Sequence, residues 1–155
     1  MTKEEKYQEI YLQIASVVEG EPDQIANMAN VAALLHEQFG FWWTGFYRVM
    51  NDDELVLGPF QGPVACTRIK KGRGVCGTAW ATNSTQVVPD VEQFPGHIAC
   101  SSESKSEIVV PLRNADGNVF AVLDIDSADY ATFDNIDQQW LEKIVSIISK
   151  KNQDD

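Results

Sequence analysis

The stretch Glu107-Ile108-Val109-Val110-Pro111-Leu112, with Asn114-Ala115-Asp116-Gly117 and then Asn118 to Asp126, constrains the fold more than any other. Apolar and β-branched residues fill both arms, and Asn, Asp and Gly supply turn chemistry between them, so the stretch predicts a β-hairpin. Its second arm ends Leu123-Asp124-Ile125-Asp126-Ser127. Side chains alternate along a strand with period two, which places Asp124 and Asp126 on one face, level with Phe120 and Val122. Glu107, at the start of the first arm, can join them. Carboxylates beside apolar residues are costly unless they meet a cation or share a proton. Caps past the sheet edge in solvent, a metal site and a site for a cationic small ligand are the alternatives.

The upstream chain reads as helices covering a sheet. Thr2 with Glu5 is a capping box, and Tyr7, Ile10, Tyr11, Ile14 and Val18 recur at helical spacing before Gly20-Glu21-Pro22. A second helix is expected from Asp23, with Ile25, Met28, Ala32, Leu35 and Phe39 on one face and Gly40 as its stop. Phe41 to Met50 is an aromatic-rich strand. Asn51-Asp52-Asp53 turns it into a partner, Glu54 to Leu57, and Gly58 to Pro63 is too full of breakers for a strand interior. Val64 to Ile69 is a third strand carrying Cys66, Val75 to Ala81 a short helix, and Gln86-Val87-Val88 a short strand. The final helix starts near Asp134 and turns Trp140, Leu141, Ile144, Ile147 and Ile148 inward. Helices, hairpins and a closing helix make an α+β sandwich of helices against one antiparallel sheet, with no boundary for a second domain within 1–155.

A net charge of −11 argues against nucleic-acid backbone and anionic membrane surfaces as partners. The charged start shows no apolar signal segment, and no run of apolar residues is long enough to span a bilayer, so a cytoplasmic setting is expected. The three cysteines are spaced by ten and twenty-four residues, without a C-x-x-C pair. In a reducing compartment a bridge among them would be transient and catalytic rather than structural.

Between two of the strands lies Asp90 to Ser106, a long loop with Pro95, Gly96, His97, Cys100 and a run of serines. Such loops inside small domains are functional or disordered, and Phe94, Ile98 and Cys100 argue for packing. For any single cysteine the plain reading is a small buried residue. Cys100, in a serine-rich loop, is the best candidate for an exposed thiolate, and Cys76, at a helix start, also gains from the dipole. His97 reads better as a loop-fixing hydrogen-bond partner than as a proton carrier. Cys66, Cys76, His97 and Cys100 fit no structural zinc spacing, so no metal is expected. In Phe41 to Tyr47 the rings default to core, but one of them, Trp43, is a candidate pocket wall, since aromatic faces suit sulfur and methyl groups. Gly72-Arg73-Gly74 before a helix offers backbone N–H groups to an anion.

Gly58-Pro59-Phe60-Gln61-Gly62, Ala65-Cys66, Gly72-Arg73-Gly74-Val75-Cys76-Gly77, Phe94 to Cys100, Ser106 to Leu112 and Leu123 to Ser127 together resemble the free methionine-(R)-sulfoxide reductase family. Its members are stand-alone GAF domains. The resemblance implies a GAF-like fold in which N- and C-terminal helices pack on one sheet face and a loop covers a pocket on the other. It implies reduction of free L-methionine (R)-sulfoxide, with Cys100 attacking the sulfoxide sulfur, Cys66 resolving and Cys76 sharing in resolution. No prosthetic group is implied; thioredoxin is the external reductant. The family often places an acid directly after the attacking cysteine, where this chain has Ser101. A sulfoxide must be protonated on oxygen to react, so Glu107 and Asp126 are candidate proton holders and Asp124 a seat for the substrate ammonium. A homodimer is expected by analogy. The rival expectation is a GAF module that senses a small ligand without chemistry.

Overall fold

The computed structural model describes residues 1–97 and 103–153, with the side chains of 151–153 left aside. Six strands form one sheet: β1 (Trp43–Val49), β2 (Glu54–Gln61), β3 (Arg68–Lys70), β4 (Gln86–Val88), β5 (Ser106–Arg113) and β6 (Val119–Ser127). Their spatial order is β3-β2-β1-β6-β5-β4, and every pairing is antiparallel. Helices α1 (Lys3–Val18), α2 (Gln24–Phe39) and α4 (Asn135–Gln153) cover one face. Helix α3 (Gly74–Thr82) and the long connections cover the other.

Local chemistry sets the helix ends. Thr2 and Glu5 form the expected reciprocal capping box on α1, and the Asp23 carboxylate accepts from Ala26 N to open α2. Gly40 closes α2 at φ +68, a left-handed conformation that costs glycine nothing. Tyr7, Ile10, Ile14 and Val18 of α1 enter the helix-side core, with Leu141, Ile144, Val145 and Ile148 of α4. The Tyr7 hydroxyl donates to buried Asp137 at 2.6 Å, locking α1 to α4. No helix among the described residues is long and apolar enough to cross a membrane.

Four local expectations are corrected. Ile25 is exposed, and α2 packs instead through Met28, Val31, Ala32 and Leu35. Strand β2 runs on through Gly58 and Pro59, which a shift of register makes possible. Leu57 pairs with Tyr47 and Phe60 with Gly45, so two residues oppose Phe46, and a proline sits where the ladder is irregular. Strand β3 begins only at Arg68, leaving Cys66 in the connection before it. A bulge where Leu112 faces Ala121 but Arg113 faces Val119 turns Phe120 to the helix side, away from Val122.

Candidate active site

The floor of the site follows from the β5–β6 register. Glu107 pairs with Asp126 and Val109 with Asp124, so period two aims all three carboxyls away from the helical core. Ile108, Leu123 and Ile125 point the other way and are fully buried under the helices. Glu107 and Asp124 are 6% and 5% exposed, and Asp126 is half-buried. These acids lie within the sheet rather than past its edge, so the solvent-cap reading fails.

Strand β1 builds one wall. Trp43 pairs with Asp126, Gly45 with Asp124 and Tyr47 with Val122, so both rings stand on the carboxylate face. The Trp43 ring folds across Gly45, where a Cβ would lie 2.6 Å from the indole and closer still to Phe60 Cβ. Only glycine fits there. Trp43 Nε1 donates to Pro63 O at 3.0 Å, and the Tyr47 hydroxyl donates to Cys66 O at 2.8 Å. Two side chains on one strand face thus hold the Cys66 segment over the acids.

Helix α3 supplies the opposite wall. Gly77 lets it sit against the preceding turn, since a Cβ there would meet Lys70 O at 2.5 Å. This brings Cys76, 3% exposed, down onto the carboxyls. The Cys76 sulfur and one oxygen each of Glu107 and Asp124 lie within 4.8 Å of one another. Gly74, Val75 and Cys76 line the cavity and precede the first intrahelical bond, Gly77 N to Arg73 O, so their N–H groups are not used within the helix. Ser104 closes the rim by donating to Asp126 Oδ1 at 3.3 Å, and His97 stands nearby on the cavity lining. The cavity, partly open to solvent, has a volume of about 50 Å³.

Burial and mutual repulsion dominate the electrostatics of the three acids. Burial, then repulsion from Asp124 and Asp126, pushes Glu107 well above the usual carboxyl range. Burial and the Asp124 charge do the same to Asp126, and burial raises Asp124 less, because Glu107 and Cys76 hydrogen-bond to it. Among the described residues, no fixed N–H or hydroxyl donor reaches the buried Asp124 Oδ1. What Asp124 meets are groups that donate only when protonated. Burial and the same acids push the Cys76 thiol up, favouring its protonated form while no cation is bound, despite its place in the first turn of α3. Burial lowers His97, with the Asp124 charge opposing.

The sequence candidates divide accordingly. Cys76, Glu107, Asp124, Asp126 and Trp43 converge on one cavity. Cys66 is half-buried beside it and disulfide-bonded, while Cys76 is a free thiol. Cys100 and Ser101 lie outside the described residues. Sequence reasoning missed Tyr47, which shares a strand face with Trp43 four residues earlier, and Ser104, for which no sequence signal exists.

This sheet, with helices behind and a roofed acidic cavity in front, is a GAF domain, and the GAF-domain family model matches residues 25–150. The chain is 58% identical to GAF domain-containing protein A of Dictyostelium discoideum over 95% of its own length and 92% of that protein. It is 46% identical to the free methionine-R-sulfoxide reductase of Escherichia coli, covering 97% of this chain and 90% of that one. It also superimposes on a free methionine-R-sulfoxide reductase from Neisseria meningitidis in complex with its substrate, with TM-score 0.94 and 54% identity over 97% of this chain and 90% of that one. The chain belongs to the free methionine-R-sulfoxide reductase family.

Proposed function

We propose that this protein reduces free L-methionine (R)-sulfoxide to L-methionine, with residues 1–155 acting as one domain. The observation that carries the reading is the cluster of buried Glu107 and Asp124 with half-buried Asp126, beside two cysteines and under the Trp43 ring. A sulfoxide sulfur is a weak electrophile until its oxygen takes a proton, and a carboxyl that burial and neighbouring acids raise well above its ordinary range is the group that can give one. Glu107 is that acid, with Asp126 sharing the proton. Asp124 seats the substrate ammonium, which methionine inside a peptide lacks. The N–H groups of Gly74 to Cys76 face the substrate carboxylate, and Trp43 packs on the methyl and sulfur.

Cys100 is assigned the attack from the family motif. Its sulfur bonds to the sulfoxide sulfur as the oxygen takes the Glu107 proton. The hydroxyl then passes to Cys100 as a sulfenic acid, and two electrons from the thiol restore the thioether. The Cys66 thiol displaces that hydroxyl as water, leaving a disulfide. The bonded state of Cys66, with Cys76 free, supports Cys66 rather than Cys76 as the resolving thiol. Cys76, protonated and buried, serves at most as a later partner in resolution. A thioredoxin-type dithiol returns both thiols by exchange. This fits a cytoplasmic setting, and two copies pair through their helices by analogy with other GAF domains.

The test is thioredoxin-coupled consumption of the separated R and S forms of the free sulfoxide. Consumption of the R form alone is expected. Binding of either form without consumption would instead mark a ligand sensor.

A further inference from the structure

We propose that the buried trio of Cys76, Glu107 and Asp124 also binds a zinc-class divalent cation, which excludes the sulfoxide while it is bound. This set differs from the Cys/His combination that the sequence suggests. The three ligand atoms already lie within 4.8 Å of one another, on separate elements: the first turn of α3, the start of β5 and the end of β6. A second, independent observation points to a ligand. Asp124 is 5% exposed and lines the cavity, and among the described residues no N–H or hydroxyl reaches its Oδ1, so Asp124 meets only Glu107 and Cys76, the other two members of the trio. A buried acceptor left unpaired is costly, and a cation above it would remove that cost.

The donor set selects the ion. A thiolate with two carboxylates is too soft for magnesium or calcium, which prefer oxygen alone, and suits zinc or cobalt. Tetrahedral zinc, with Zn–S about 2.3 Å and Zn–O about 2.0 Å, separates its ligand atoms by about 3.3–3.5 Å. The trio therefore closes by at most about 1.5 Å, within reach of side-chain rotation. Three protein ligands leave the fourth position open to the cavity. Because Cys76 stays free while Cys66 is in its disulfide, the site persists in the oxidised protein.

The inference rests on the proposed reductase activity only for the exclusion of substrate; the cation site itself does not. The probe is Co²⁺ titrated into the oxidised, chelator-treated full chain. One equivalent should bind with a thiolate-to-cobalt charge-transfer band, and Zn²⁺ should displace it. Cys76→Ser should abolish the band. Absence of the band, or its persistence in Cys76→Ser, overturns the site. Should Cys76→Ser fail to fold, Glu107→Gln and Asp124→Asn, which keep the thiol, should each weaken Co²⁺ at least roughly tenfold. Unchanged affinity in both also overturns it. Free methionine (R)-sulfoxide should weaken Co²⁺ binding in proportion to its concentration, and no effect at saturation overturns the exclusion. A protein that binds Co²⁺ through Cys76 but consumes no sulfoxide supports the site and removes the reductase reading alone.

Discussion

Glu107→Gln separates a carboxyl held as an acid from one that is merely buried. Glutamine keeps the shape and a hydrogen-bond donor but cannot give up a proton to a reacting oxygen. Loss of a general acid costs about 10²–10⁴ in rate, so single-turnover reduction of the sulfoxide should slow by that much. Stability supplies the second arm. In the unfolded chain Glu107 ionises near about pH 4.3, whereas in the folded protein burial and two neighbouring acids raise it well above that. The folded state therefore holds a proton that the unfolded state has lost, and stability falls as pH rises between those two values. One proton is worth about 1.4 kcal/mol per pH unit across that window, and glutamine removes its share. Urea denaturation from about pH 5 upward should thus show the variant gaining on the native protein by up to about 1.4 kcal/mol per unit. Curves that stay parallel over that range would refute a protonated Glu107, whatever the kinetics did.

Other perturbations probe the remaining parts. Cys66→Ser should release one methionine per chain in a burst and then stop, whereas Cys100→Ser should release none; rapid quench in the absence of reductant decides. Asp124→Asn should raise KM for the free sulfoxide while narrowing its advantage over the N-acetylated form, read from kcat/KM for both. Gly45→Ala forces a Cβ into Phe60 and the Trp43 ring, and overpacking of this kind costs about 1–3 kcal/mol, measurable by chemical denaturation. Tyr47→Phe removes the bond to Cys66 O, with a loss of about 0.5–1.5 kcal/mol, and should slow disulfide formation more than methionine release.

What the sequence made legible was the part written in local chemistry. The Thr2–Glu5 box, Asp23, Gly40 and the Asn114–Gly117 turn each act within a few residues of themselves, and each stands where the pattern placed it. The shared face of Asp124 and Asp126 also followed from a period of two. The failures all depend on partners distant in sequence. Gly58 and Pro59 look like strand breakers until the irregular register opposite Phe46 accommodates them. Phe120 leaves the carboxylate face because of a bulge that no residue in β6 announces. Tyr47 looks like any core ring, since its use depends on the carbonyl of Cys66 arriving above it. The proposed division of labour among the three cysteines rests on family resemblance, since no pattern in the sequence implies one.

Strand β1 carries a consequence for how such a chain can drift. One of its faces fills the helical core through Phe46, while the other folds Trp43 over the acids and tethers Pro63 and Cys66. The same strand is hydrogen-bonded along β6, whose register sets the height of Asp124 and Asp126. The three carboxyls and the tethers of the Cys66 segment therefore share one ruler. Exposed helix surfaces can change without moving that ruler, whereas the Asn114 turn joins β5 to β6 and helps set it. A single residue inserted in β1 would instead swap its faces, sending both tethers into the apolar core and leaving the cysteine segment without its anchor.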